Sequence, residues 1–164
     1  MSYRGIFSPS WCRCSAIAFG ALCALASCRE YGNTLDGSIS ARASLDFDRV
    51  AVEWVVDELV IRYLSERWVH GEAARLTLQG EVVAANVDIP VDDRIRIEHF
   101  ITVISDAGDF VQEPPFPPVR NGKVHFDEVN RQIATRIKGF FSVIFEDNRT
   151  LSGQFEAYLQ EPGE

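Results

Sequence analysis

The chain has 164 residues, of which 46% are hydrophobic, so it is long enough to bury the core of one ordinary domain without disulfides. Its formal net charge of −8 at pH 7 opposes binding to nucleic acid and to anionic lipid. We interpret this acidic balance as a solvated surface and predict no nucleic-acid partner.

The N-terminal segment has the order of features that a secretory signal peptide requires. Arg4 and Arg13 provide positive charge, the apolar run of residues 16–25 follows, and small residues then precede Cys28. The apolar run is too short to cross a bilayer, which needs about 20 apolar residues. The alternatives are an uncleaved N-terminal anchor and a plain secretory signal that happens to contain a cysteine.

The four residues Leu25-Ala26-Ser27-Cys28 resemble a lipobox, the processing signal of bacterial lipoproteins. The resemblance implies that residues 1–27 are removed and that acyl chains such as palmitate are attached to Cys28. Two acyl chains anchor a protein stably, whereas one binds a membrane only marginally. The resemblance also implies a place in the bacterial cell envelope with the membrane as partner, and Arg29 in place of an aspartate implies the outer membrane.

The cysteine count agrees with this interpretation. Three of the four cysteines lie in the segment that is removed, and the fourth is Cys28. We predict that residues 28–36 form the lipidated N-terminus and a tether, which reaches about 25–30 Å when extended. The remaining domain, residues 37–164, then has no thiol for catalysis, metal binding or a disulfide.

The dominant hydrophobic period after the tether is two, which predicts half-buried strands. The alternation covers these segments: residues 39–47, 75–79, 83–89 and 94–103. Residues 49–68 fit either a helix or two strands with a turn near Asp57-Glu58, and their β-branched and aromatic side chains favour the strands. Strands with one polar face are typical of antiparallel sheets.

The clearest predicted unit is a C-terminal hairpin with strands over residues 133–145 and 151–159 and a three-residue loop at Asp147-Asn148-Arg149. The predicted register pairs side chains of one face: Phe141 with Phe155, Val143 with Gly153, and Phe145 with Leu151. Asn148 or Arg149 must then take the left-handed loop position that usually holds glycine.

Residues 113–118 read Glu-Pro-Pro-Phe-Pro-Pro, which predicts an extended loop, because proline cannot join the interior of a sheet. Phe116 in this loop is either a plug at the end of the core or an exposed contact, and we expect the plug.

Three pieces of the chain resemble a group of bacterial, often myxobacterial, envelope lipoproteins. These pieces are residues 45–50, residues 116–119, and residues 139–145 continuing through 149–153. The resemblance spans most of the domain and implies a β-rich envelope protein, but it implies no activity and no functional residue beyond the lipidation of Cys28. With the strand pattern, it predicts an all-β domain: an antiparallel β-sandwich or partly closed β-barrel of about nine strands.

The search for chemistry finds no catalytic signature. His70, His99 and His125 are far apart in sequence and lack metal-ligand spacing, so we interpret them as structural or surface groups. There is no Gly-x-Ser-x-Gly motif, and the aspartates fall in or near turns, where this residue is expected. We predict no catalytic residue, no metal site and no cofactor.

Four aromatic residues are candidates for lining a pocket, although large aromatic residues on strands usually belong to a core: Trp54, Tyr63, Trp68 and Phe100. The sequence therefore predicts a non-catalytic structural or interaction domain, and an envelope protein and a small apolar ligand are both candidate partners. The alternative is a lipocalin-like carrier of a small apolar ligand, which needs an open lumen. An envelope enzyme is the third interpretation.

Overall fold

The computed structural model describes residues 32–68, 70–105 and 107–161, and of His70 it describes the backbone alone. Cys28, the predicted signal peptide and the first part of the tether lie outside these residues. The described part is all-β, as predicted. None of its helices has the length and apolar character needed to cross a membrane.

The described residues form ten strands and one short 3-10 helix, Ser38–Ala41. In chain order the strands are β1 (Thr34–Asp36), β2 (Arg49–Val55), β3 (Glu58–Leu64), β4 (His70–Gln79), β5 (Asp88–Pro90), β6 (Ile95–Ile104), β7 (Phe110–Gln112), β8 (Val119–Glu128), β9 (Arg136–Phe145) and β10 (Thr150–Gln160). They are hydrogen-bonded in the order β5-β8-β9-β10-β2-β3-β4-β6-β7, and β1 also pairs with β10. The path does not close into a barrel, which agrees with the predicted sandwich.

One half of the sandwich contains β1, β5, β8, β9 and β10, and the other contains β2, β3, β4, β6 and β7. Strand β10 belongs to both halves. Along most of its length it pairs antiparallel with β9 and β1, whereas its last residues pair with β2 in parallel, Leu159 opposite Val52. The sheet is therefore mixed and not purely antiparallel. Because one strand is shared, the two halves are joined by backbone hydrogen bonds at this edge as well as by packing.

Aromatic rings fill the space between the halves. Tyr63 on β3 packs edge-on against Phe141 on β9 with ring centroids 6.1 Å apart, and its hydroxyl donates a 2.9 Å hydrogen bond to the carbonyl of Gln154 on β10. Burial raises the pKa of the Tyr63 hydroxyl well above its usual range. Phe126 and Phe155 form a second buried edge-on pair at 5.5 Å.

Several strand predictions are confirmed. Residues 49–68 contain two strands, β2 and β3, and no helix, and the turn between them lies at Val56-Asp57. β4 covers the alternating segment 75–79, and β6 covers the segment 94–103 from Ile95 onward. Phe116 packs between His99 and Phe145, so the expected plug is also confirmed.

The strand predicted over residues 39–47 is wrong. Ser38 exchanges hydrogen bonds with Thr150, and the carbonyl of Ile39 accepts bonds from the two amides that close the 3-10 turn. The backbone is thus engaged locally, and Ile39 reaches the core from a turn. The strand that pairs with β10 in this part of the chain is β1. Its residues 34–36 were predicted to belong to the tether, so the folded domain begins earlier than predicted.

Two other predicted strands are shorter than expected. Of residues 83–89, only the last two join a strand, since Asn86 adopts a left-handed φ of 59° and its amide bonds instead to the carbonyl of Phe126. β9 begins at Arg136 and not at Ile133, because Ala134 also has a positive φ, 62°.

The C-terminal hairpin is confirmed in its strand phase but wrong in its register. Asn148 takes the left-handed position with a φ of 65°, and Phe145 bonds to Arg149, so the loop is residues 146–148. The loop thus starts one residue earlier than predicted, and the pairing shifts by two. Asparagine tolerates this conformation better than arginine, which explains the choice.

The observed register places two core phenylalanines of the hairpin opposite glycines. Phe141 faces Gly153, and Phe155 faces Gly139. A Cβ atom added to either glycine would collide with the ring of the facing phenylalanine. The glycines therefore provide the room in which these two rings lie. A shift of the strands would place a larger residue under each ring, so the glycines also help to fix the strand register.

The register generates a test by double substitution. Gly153→Ala should destabilise the protein by about 1–3 kcal/mol because the new methyl group overlaps the Phe141 ring. Phe141→Ala should cost about 3–5 kcal/mol through lost burial. In the Phe141→Ala background the Gly153→Ala change should cost clearly less, since the ring is gone, as denaturant unfolding would show.

Gln154→Ala is the control, because its side chain lies on the other face of β10 and should change stability by less than about 0.5 kcal/mol. If the costs of Gly153→Ala and Phe141→Ala simply added, these residues would not be opposite each other and the register would be refuted.

Val56 occupies an unfavourable position at the tip of the β2–β3 hairpin. Its φ is 58°, and its side chain is 92% exposed. A β-branched residue in the left-handed region is strained, at a typical cost of about 1–3 kcal/mol, and burial does not compensate here. The folding of the hairpin therefore does not explain why valine is present.

Replacing this residue should stabilise the fold. We expect Val56→Gly to raise the free energy of unfolding by about 1 kcal/mol, because glycine adopts a positive φ without strain. Val87→Gly, at another exposed valine whose φ is not positive, is the matched control and should destabilise. Equal destabilisation by both changes, measured by thermal unfolding, would show that Val56 is not strained.

Candidate functional site

A β-bulge in β4 shapes both faces of the sheet next to it. Glu72 pairs with Phe100 of β6 and Arg75 pairs with Glu98, so Ala73 and Ala74 together lie opposite the single residue His99. The pairing with β3 also skips Ala73. An extra residue of this kind leaves a backbone group outside the ladder and redirects its neighbours.

On the inner face, the bulge is bonded to a buried histidine. Nδ1 of His99 lies 2.9 Å from the carbonyl oxygen of Ala73, and its Nε2 lies 2.9 Å from Oε2 of Glu113. The ring has no exposed surface and stacks on Phe116 with centroids 4.9 Å apart. Glu113 also accepts a 2.9 Å hydrogen bond from the amide of Ser44.

This geometry limits what His99 does chemically. A carbonyl only accepts, so Nδ1 is the donor in its bond to Ala73, and Nε2 is engaged by the Glu113 carboxyl group. Both ring nitrogens are thus occupied by protein groups. Through these bonds His99 and Glu113 connect β4, β6, the proline-rich loop and the segment before β2.

On the outer face, the bulge brings Glu72 and Arg75 to the same side. The Arg75 guanidinium hydrogen-bonds the Glu72 carboxylate at 2.8 Å and lies over the Phe100 ring at 4.7 Å. Arg62 bridges from Glu72 to the nearly buried Glu53. A regular strand would point residues three apart to opposite faces, so this charged array depends on the extra residue.

An open groove of about 510 Å³ runs along this outer face at the end where β3 passes into β4. We call it the aromatic groove, and its lining residues are Arg49, Leu64, Ser65, Glu66, Trp68, Gly71, Glu72, Arg75 and Phe100. The indole nitrogen of Trp68 is buried and has no hydrogen-bond partner among the described residues. The groove thus combines two aromatic side chains with two arginines and two glutamates, and Arg75 is already ion-paired with Glu72.

The structure separates the four aromatic residues that the sequence singles out. Trp68 and Phe100 share the aromatic groove, whereas Tyr63 lies in the core. Trp54 is at the opposite end of the sheet, where the Arg131 guanidinium covers its ring at 4.5 Å. The four candidates therefore do not line a common pocket, and Tyr63 belongs to the core, as is usual for large aromatic residues on strands.

His125 lies on the outer face of the other half. Its Nδ1 bonds to Asp88 at 2.8 Å, its ring stacks on Phe140, and Lys123 bonds to the same aspartate at 2.7 Å. Hydrogen bonds from Lys123 and then from His125 lower the pKa of the Asp88 carboxyl. These pairs are exposed to solvent, so their contribution to stability is small.

No group of three or more metal-ligating side chains converges within the described ranges, and of His70 only the backbone is known. Comparison with protein-family models, curated proteins and solved structures finds no match to this chain. The chemistry of its surface therefore carries the functional argument.

The two histidines with described side chains give a matched pair of substitutions. We expect His99→Ala to lower the free energy of unfolding by about 3–5 kcal/mol, because it opens a cavity and leaves the Ala73 carbonyl and Glu113 without a partner. His125→Ala should be much milder, since its contacts lie at the surface. Similar losses for both, measured by denaturant unfolding, would show that His99 does not hold the bulge.

Proposed function

We propose that this protein is a lipid-anchored component of the bacterial cell envelope, held through acylated Cys28 at the outer membrane, with a non-catalytic interaction domain. The observation that carries the proposal is the order of positive residues, short apolar run, small residues and Cys28. The fold supports it, because pairing begins at Thr34, only a few residues after Cys28. The domain would then lie next to the membrane surface.

Two features of the domain support an interaction role over the alternatives. A carrier would have to displace the aromatic rings that lie between the two halves of the sandwich, among them Phe126, Phe141 and Phe155. An enzyme that used His99 would have to expose a ring that has no accessible surface. The aromatic groove, in contrast, is open and combines apolar, cationic and anionic groups.

The anchor is tested by two cysteine substitutions in the same segment. Cys28→Ser should abolish lipidation, so that unprocessed precursor accumulates or protein leaves the membrane fraction. Cys23→Ser, within the predicted apolar run, should leave processing unchanged. Mass spectrometry of the N-terminal peptide and membrane fractionation check both, and a native chain with unmodified Cys28 or cleavage at another site would refute the proposal.

A further inference from the structure

The exposed large apolar side chains of the described residues fall, apart from Val87, into two groups at opposite ends of the sandwich. One group, which we call the proximal group, is Val55, Val56, Ile133 and Tyr158. The other, the distal group, is Ile104, Phe110 and Val111 on the β6–β7 hairpin, next to the aromatic groove. A single exposed apolar side chain needs no explanation, but clustering at an end does.

Backbone and side-chain contacts hold the segments of the proximal group side by side. The amide of Ala134 donates a 2.9 Å hydrogen bond to the carbonyl of Leu159, and Leu159 pairs with Val52 of β2. The guanidinium of Arg131 covers Trp54 of β2. The β8–β9 loop, the β2–β3 turn and the end of β10 therefore share one end of the molecule.

The N-terminal chain leaves the fold toward this same end. β1 runs antiparallel to β10, with Thr34 opposite Gln154, and Asn33 accepts a hydrogen bond from the amide of Glu156. Followed backward from Thr34, the chain thus runs in the direction in which β10 approaches the β2–β3 turn. The few residues between Cys28 and Thr34 reach only about 20 Å when extended.

The proximal group also contains the strained Val56. An apolar residue that is 92% exposed and has a positive φ costs stability, as argued above. Contact with an apolar phase would provide a use for such a side chain. Tyr158, which is 67% exposed, has the mixed apolar and polar character that suits the boundary between lipid and water.

We propose that the proximal group is a membrane-contacting surface and that Val56 and Ile133 rest at the boundary between the headgroups and the acyl chains of the bilayer. The inference depends on the proposed lipid anchor, which brings this end to the membrane. The surface carries Asp57, Glu58 and Glu81 beside the apolar residues, and these carboxylates outnumber the neighbouring Arg131 and Arg96, the second of which is bonded to Glu58. Zwitterionic lipid is therefore the partner, because anionic lipid would repel these carboxylates. The distal group and the aromatic groove then point away from the membrane.

The test uses the full lipidated chain reconstituted into phosphatidylcholine vesicles. Val56→Cys and Ile133→Cys each supply one reactive thiol, since Cys28 is blocked by its lipid, and Val111→Cys in the distal group is the matched control. Each thiol carries an environment-sensitive fluorophore, and a spin-labelled lipid is the quencher. At positions 56 and 133 we expect a blue shift of emission and strong quenching, and at position 111 neither.

The outcomes separate this proposal from the one on which it depends. Chains that float with the vesicles but show equal or stronger quenching at position 111, or none at 56 and 133, would overturn the surface and leave the anchor standing. If mass spectrometry of the purified chain finds no acyl group on Cys28, the anchor and this surface are overturned together. Undiminished quenching at position 56 in phosphatidylglycerol vesicles would overturn the zwitterionic preference.

Discussion

The hydrogen bond between His99 and the carbonyl of Ala73 is the constraint on which much of the structure depends. A bulge inside a buried sheet leaves a polar group without its ladder partner, and an unsatisfied group of this kind costs about 1–3 kcal/mol. His99 supplies the missing donor, but its second nitrogen then needs a partner in turn. Glu113 provides it and thereby fixes the proline-rich loop against the sheet.

The consequences extend to both halves of the sandwich. Once the loop is held, Phe116 stacks on His99 and reaches Phe145 on β9, so one end of the core is closed by groups from three segments. The same bulge turns Glu72 and Arg75 outward together, and with Phe100 they form one wall of the aromatic groove. A single additional residue thus links the inner packing to the outer surface.

The sequence predicts the strand phases well because burial imposes a period of two wherever one face meets the core. Tyr63, Phe141 and Phe155 are buried as their alternation requires. Register is harder to predict, since it depends on which residue of the loop accepts a left-handed conformation, and Asn148 and Arg149 were both open. The glycines opposite Phe141 and Phe155 would have distinguished the two registers, because a ring over a glycine needs no extra space.

The failures have a common physical cause. Small residues such as Ala41, Ala43 and Ser44 alternate in polarity by chance, and weak alternation does not distinguish a strand from a turn anchored at Ile39. The bulge has a signal in the sequence, the adjacent apolar pair Ala73-Ala74 between charged residues, but alanine is common on either face. The aromatic groove was therefore beyond prediction, although Trp68 and Phe100 were both candidates.

The position of the Nδ1 proton of His99 is the most direct test of this account. Long-range proton–nitrogen NMR of the imidazole rings reports which nitrogens carry protons and how fast they exchange with solvent. We expect a protonated, slowly exchanging Nδ1 on His99, shielded by its bond to Ala73, and rapid exchange on the partly exposed His125. An unprotonated Nδ1 on His99, or exchange as fast as that of His125, would contradict the claim that this histidine holds the bulge.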